Sequence, residues 1–172
     1  SVTPAMNGPL AAPDEGLSIS VESLSAMLEI AREHGVVFTI EPHTGSIAVT
    51  PDKVKNLLSK VPGLRLSLDY THFIGTGWKV KDLIPLHDFA YHLHGKPANA
   101  NAAKCLFYEG EDFFPPLIAD LVARKWDGVM AVECMYPMDA KDRLSHPAFQ
   151  TVLLAGHLEK CLMEAREGKT RI

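Results

Sequence analysis

The chain has 172 residues, 47% of them hydrophobic, and a formal net charge of -4. That is enough apolar material for one sizeable core. The mild acidity argues against a nucleic-acid partner, and no apolar run approaches the roughly 20 residues of a membrane span. Ser1-Val-Thr-Pro4 lacks the basic and apolar regions of a signal peptide, and Cys105, Cys134 and Cys161 are widely spaced with no CxxC pair. Reduced, packed thiols in a cytoplasmic protein are expected.

In chain order, Val2–Met6 reads as the tail of a strand, and Asn7–Gly16, rich in Pro, Gly and Ala, as a loop. Val21, Leu24, Met27, Leu28 and Ala31 have helical spacing and predict a helix over Val21–His34, stopped by Gly35. Val36–Glu41 follows as a strand covered on both faces. Thr50-Pro51-Asp52 joins a capping hydroxyl, a first-turn proline and an acid at the positive end of the dipole, so a helix runs to about Lys60. Leu64–Asp69 is the next strand, and a loop holding Gly75 and Gly77 leads to a short helix, Val80–Leu86. Phe89–His94 is a strand, and Gly95–Gly110 is irregular, with no apolar period. Asp112 is expected to cap a helix with Pro115 and Pro116 near its first turn. Val129–Cys134 is the last strand, and Tyr136–Arg143 a polar loop. Ser145 is expected to cap a final helix whose apolar side is Phe149, Val152, Leu153, Leu158 and Leu162, before a frayed tail from Arg166. Strand and helix alternate without hairpin signals, which predicts a parallel sheet of right-handed βαβ units in a single domain over 1–172.

The four strands each finish on a carboxylate or an imidazole: Glu41, Asp69 with His72 three residues on, His94, and Glu133. An unpaired buried charge is costly, so an apolar strand has no structural use for such an end. A divalent metal at the rim of a parallel barrel accounts for all four at once. Each residue also has a plainer reading: Glu41 as a solvated strand end, His72 and His43 as loop histidines, His92 as a satisfied core residue, Lys96 as a surface charge.

Ile40-Glu-Pro-His-Thr-Gly-Ser46, Leu68-Asp-Tyr-Thr-His72, His92-Leu-His94, Tyr108-Glu-Gly-Glu-Asp-Phe113 and Val132-Glu133, in this order, resemble the second half of a xylose-isomerase-like (β/α)8 barrel, more closely the sugar phosphate isomerase/epimerase group. The resemblance implies the metal ligands Glu41, Asp69, His94 and Glu133, with His72 touching a substrate oxygen. Two places depart from its ketose 3-epimerases, where a glutamate and an arginine are replaced by Ile47 and Ala100. The Asp-x-His pair of its apurinic endonucleases is missing from Phe107–Glu109. The family barrel takes about 250 residues. The four predicted strands and five helices therefore amount to its second half, either a fragment or a half completed by another chain. An unclosed half leaves unpaired edges, so homo-oligomerisation or association with the missing half is expected rather than a self-sufficient monomer.

Three oxygen donors and an imidazole suit one divalent ion: Mn²⁺, Mg²⁺, Co²⁺ or Zn²⁺. The ion would stabilise an enediolate as a proton leaves a carbon next to a carbonyl. Glu41 and Glu133, on the outer two of the four strands, are the candidate base and acid. His43 and Lys96 are further candidate substrate contacts, Lys96 toward a phosphate or acidic group. Trp78 and Phe73 are candidates for an aromatic wall. The function expected is a metal-dependent isomerase or epimerase of a sugar or sugar phosphate. The alternatives are a metal-dependent hydrolase or phosphodiesterase on the same barrel, and a non-catalytic half-barrel.

Overall fold

Leu17, Val21, Leu24 and Leu28 line one face at helical spacing and seat the first helix, α1 (Pro13–Glu33), on the core. The computed structural model describes residues 1–4, 13–134 and 146–170. The expected loop over Asn7–Gly16 is corrected from Pro13 on, because Leu17 adds a rung to the apolar stripe and the helix begins earlier than Val21. Met27 faces outward. Gly35 adopts φ +65° and ends the turn, as a C′ glycine does.

The strands are β1 (Thr39–Ile40), β2 (Arg65–Asp69), β3 (Ala90–Gly95) and β4 (Val129–Val132), all parallel and in the order β1-β2-β3-β4. β1 is shorter than the expected Val36–Glu41. Its partner begins at Arg65, opposite Thr39, so Val36 and Val37 have nothing to pair with and stand 60% and 47% exposed. Val2 bridges Ile40 from the other side, through Val2 N–H to Thr39 O at 3.1 Å and Glu41 N–H to Val2 O at 2.9 Å. The strand tail read at Val2 thus lies beside β1, while Met6 falls outside the described residues. β4 is the edge strand. Val129 is 64% exposed there.

Between the strands run α2 (Pro51–Lys60), α3 (Thr71–Ile74), α4 (Val80–Leu83), a 3-10 turn over Ile84–Phe89, a second over Phe107–Glu109, and α5 (Phe114–Ala123); α6 (Pro147–Arg166) follows β4. Thr50 caps α2 as expected, accepting from Lys53 N–H at 3.3 Å. Asp112 does not cap α5; its carboxylate pairs with His157 on α6 at 2.8 Å. The expected Ser145 cap and the Tyr136–Arg143 loop lie outside the described residues. His146 holds the N-cap position, and its Nδ1 accepts from Ala148 N–H at 3.2 Å. The buried side of α6 centres on Gln150, Leu154 and Cys161; of the expected stripe, Leu158 and Leu162 pack against the core, and Val152 is 68% exposed. Gln150 is held there because its Oε1 accepts from Phe107 N–H at 2.6 Å.

Ile40, Leu66, Leu68 and Leu93 point from the sheet into a core completed by Leu57, Leu117 and Leu154. Phe73 belongs to that core, 1% exposed, and is no aromatic wall. A buried chain of polar contacts ties β2 to α5: Tyr70 Oη lies 2.8 Å from His87 Nε2, and His87 Nδ1 lies 2.6 Å from Asp120 Oδ2. Arg124 caps this chain by bridging Asp120 and Asp88. Burial pushes His87 below the ordinary imidazole value despite Asp120, so it is neutral at pH 7 and both ring nitrogens are used. The three cysteines are free: Cys105 and Cys161 are buried, and Cys134 is half-buried. Among the described residues, no helix is long and apolar enough to cross a membrane.

Candidate metal centre

Side chains alternate along a strand, so residues two apart share a face. Leu66 and Leu68 face the helices, which leaves Ser67 and Asp69 on the opposite face. The register pairs Ser67 with His92 and Asp69 with His94, and His94 with Ala131, two residues before Glu133. Glu41 follows Ile40, which pairs with Leu66. The candidate positions therefore step up from β1 to β2, stay level from β2 to β3, and step up again to β4. Tilted barrel strands require that stagger if side chains are to meet at one height above the rim.

They do meet. His94 Nδ1 lies 3.3 Å from Glu41 Oε1 and 3.6 Å from Glu133 Oε2. His72 Nε2 and Lys96 Nζ lie 3.4 Å and 2.6 Å from Asp69 Oδ2, and Lys96 Nζ is also 3.6 Å from Glu133 Oε2. Two overlapping donor sets share Asp69: Glu41, Asp69 and His72, and Asp69, His94 and Glu133; within each, the donor atoms lie within 4.8 Å of one another. Donors around an octahedral ion at about 2.1 Å sit about 3 Å apart when adjacent and about 4 Å when opposite. The sets are thus close to the size of a coordination shell.

Asp69 is fully buried. Its Oδ1 is fixed by Thr71 N–H at 2.9 Å and Thr71 Oγ1 at 2.6 Å. Its Oδ2 has no hydrogen bond, because the Lys96 ammonium, though close, approaches off the bonding direction. His94 Nδ1 is likewise buried without a hydrogen bond; its contacts to the two glutamates are long ion-pair distances. Buried polar atoms are normally satisfied. These two are the unsatisfied buried side-chain atoms among the described residues, and both point into one cluster of carboxylates. The donor set, with two buried atoms that make only ion-pair contacts, fits a divalent cation.

The electrostatics are those of a tight mixed-charge cluster. His94 holds the Glu41 carboxyl below its usual range, and Glu41 in turn raises His94. Burial alone would lower Lys96, but Asp69, Glu133 and Glu41 outweigh it and keep the ammonium charged. Burial drives His72 down to about 4. Its Nδ1 lies 3.1 Å from Thr44 Oγ1, and its ring centroid is 3.7 Å from that of His43, whose own Nδ1 lies 2.6 Å from Thr44 O. His92 sits beneath His94 with ring centroids 5.2 Å apart, and burial lowers it too.

An acid sensitivity follows. His72, His87 and His92 bind protons less readily folded than unfolded. The stability they confer is complete above the unfolded value of about 6.5 and drains away as pH falls toward the folded values. Glu41 adds a further loss below the ordinary glutamate range. His94, raised by Glu41, has the opposite sign and gains stability as pH falls toward 6.5, so the urea midpoint of metal-free protein is expected to fall from about pH 6 down to pH 4. A midpoint level across that interval would contradict the burial assigned to these rings.

Glu41, His43, Asp69, His72, His92, His94, Lys96 and Glu133 lie in or beside this cluster, with Lys96 meeting Asp69 rather than open solvent, whereas Phe73 and Trp78 pack with the core. Two contributors went unread. Thr71 pins the carboxylate of Asp69, and Thr44 sets the ring of His72. The Asp-x-Thr spacing of a side-chain turn signals the first. Lys96 stands two residues beyond His94, and that same-face spacing signals its place in the cage.

Parallel strands in sequential order, with their polar ends gathered at the carboxyl edge, define a segment of a β/α barrel that carries its functional face. The chain belongs to the xylose isomerase-like TIM barrel family, whose model matches residues 2–151. No curated protein matches the sequence. Among solved structures, a D-tagatose 3-epimerase-like protein superposes with a TM-score of 0.77 at 19% identity, over 98% of this chain and 62% of that one. An L-ribulose 3-epimerase gives 0.69 at 14% identity, over 91% and 59%. The probable 3-DHS dehydratase AsbF of Bacillus anthracis gives 0.66 at 21% identity, over 88% and 62%. These likenesses establish the fold, and the chain spans about 60% of the length of each protein. It is a partial barrel of four parallel strands and six helices among the described residues.

Proposed function

We propose that this chain carries the metal-binding half of an isomerase or epimerase acting on a sugar or sugar phosphate. The observation that supports this reading is the convergence of Glu41, Asp69, His94 and Glu133, with Asp69 Oδ2 and His94 Nδ1 held inside it by ion-pair contacts alone. These four residues would hold one divalent ion. When bound, the ion would supply a Lewis acid for charge developing on a substrate oxygen. Glu41 and Glu133 flank the same imidazole nitrogen from different strands. One would take the proton from the carbon beside the carbonyl, and the other would return a proton to the enediolate. His72, steered by Thr44, and His43 would orient substrate oxygens. The epimerases among the structural relatives support the substrate class, and the dehydratase shows that the scaffold serves other chemistry.

The test is a proton-exchange assay. The protein with Mn²⁺ is incubated with a panel of ketoses and ketose phosphates in D₂O, and deuterium uptake at carbon is read by NMR. Uptake with appearance of an isomer is expected, and an inert panel would speak against the reading. A second reading has its own support, because two donor sets sharing Asp69 is the arrangement of a bridged pair of ions. Two or three ions bound per chain would favour a hydrolase or phosphodiesterase, and one exchangeable ion the isomerase.

The open edge also enters the proposal. Beside β4 lies a cavity of about 520 Å³ lined by Leu121, Trp126, Met130, Leu158 and Leu162, and α1 exposes Ile19, Met27 and Ile30. Further strands of a closed barrel, or another subunit, would cover these faces. A reducing, cytoplasmic setting suits the three free thiols.

A further inference from the structure

Lys96 lies on the strand face that carries the ligand histidine, two residues beyond it, and its side chain is 8% exposed. Its ammonium stands 2.6 Å from Asp69 Oδ2 and 3.6 Å from Glu133 Oε2. Those oxygens belong to two of the three residues in the set Asp69, His94 and Glu133. An ion bonded to both would have to stand about 2.1 Å from each. It would then share the gap that Nζ fills, with like charges in near contact and little water to screen them. Asp69 cannot turn another oxygen to one of the two cations, because Thr71 holds Oδ1 through both its N–H and its hydroxyl.

We propose that Lys96 is the resident counter-cation of this cage: it holds Asp69 and Glu133 together in the metal-free protein and withdraws from Asp69 Oδ2 when the divalent ion enters. Metal binding is then an exchange of one cation for another. Lys96 is a positioning residue that sets how tightly the ion is held, and its release frees a cationic side chain beside the substrate. This inference rests on the metal-centre reading above and assigns that site its regulation.

The test measures equilibrium binding of Mn²⁺ alone, by the electron paramagnetic resonance signal of the free ion, to wild type, Lys96→Met, Lys96→Gln and Lys96→Arg. Circular dichroism checks the fold of each. Removing the competitor is expected to tighten Mn²⁺ binding at least tenfold in the Met and Gln variants, while Arg, which keeps the charge, stays within about threefold of wild type. Detectable binding by the Met variant alone would also support the exchange. Equal or weaker binding by the Met and Gln variants, with wild type binding normally, would overturn the exchange and leave the metal centre standing. Mn²⁺ binding by none of the four would overturn both. Should the uncharged variants not fold, wild type decides through acylation of Lys96 read by mass spectrometry. Labelling that rises with Mn²⁺ supports withdrawal, and labelling that does not change overturns it.

Discussion

Glu133→Gln is expected to cut deuterium exchange into a turned-over ketose by at least about 10³-fold, the scale of a lost general acid or base. Glutamine keeps the shape and an oxygen donor but can neither accept nor return a proton at neutral pH. Stability is expected to change by no more than about 0.5 kcal/mol, because the residue lies past the end of an edge strand with a side chain 36% exposed. Its contacts to His94 and Lys96, both 3.6 Å, are too long to be strong hydrogen bonds. The variant should therefore fold and bind Mn²⁺ with only moderately reduced affinity while turning over nothing. Exchange within tenfold of wild type would remove Glu133 from the proton-transfer step and leave Glu41 as the remaining candidate.

Asp69→Asn is expected to produce the largest loss of stability of any single change at the site. The asparagine oxygen can replace Oδ1 and keep both bonds from Thr71. Its NH₂ then takes the place of Oδ2 and meets the Lys96 ammonium, another donor, so Lys96 loses its 2.6 Å anionic partner; His72 Nε2 is the acceptor left to the amide. A buried cation stripped of its partner costs about 3–5 kcal/mol. Adding Lys96→Met removes the orphaned charge, so the double variant should recover most of the loss. Urea unfolding of the four proteins completes the cycle. Mn²⁺ affinity should fall by at least about 10²-fold in Asp69→Asn and stay low in the double variant, because a ligand is gone and removing the competitor cannot restore it. Additive losses in stability would mean that the 2.6 Å contact carries no weight.

The elements most visible in the chain were those with a strong local cause. Thr50-Pro51-Asp52 starts α2, Gly35 closes α1, and the run Leu64–Asp69 is a strand covered on both faces. In each case neighbouring residues carry the reason, either a cap, a left-handed glycine or an apolar run. Boundaries set by distant partners were misread. Val36–Phe38 has strand composition, but no strand extends far enough to meet it. Asp112 has the makings of a helix cap, yet His157, far along the chain, takes its carboxylate. Val152 looks apolar in sequence, yet the turn of α6 that buries Leu154 carries it into solvent.

For the site, the residue types at four strand ends were determined by the sequence alone. Parallel strands must bring their carboxyl ends to one edge, so Glu41, Asp69, His94 and Glu133 were bound to be neighbours once the alternation of strand and helix was read. Only the tertiary structure decided which atoms meet. The register stagger lifts Glu133 to the height of His94, and Thr71 takes one oxygen of Asp69 and leaves the other to the Lys96 ammonium. It also lodged the Lys96 ammonium among the carboxylates. Side-chain directions and distances of that kind depend on strand tilt and packing across residues far apart in the chain, which no local pattern encodes.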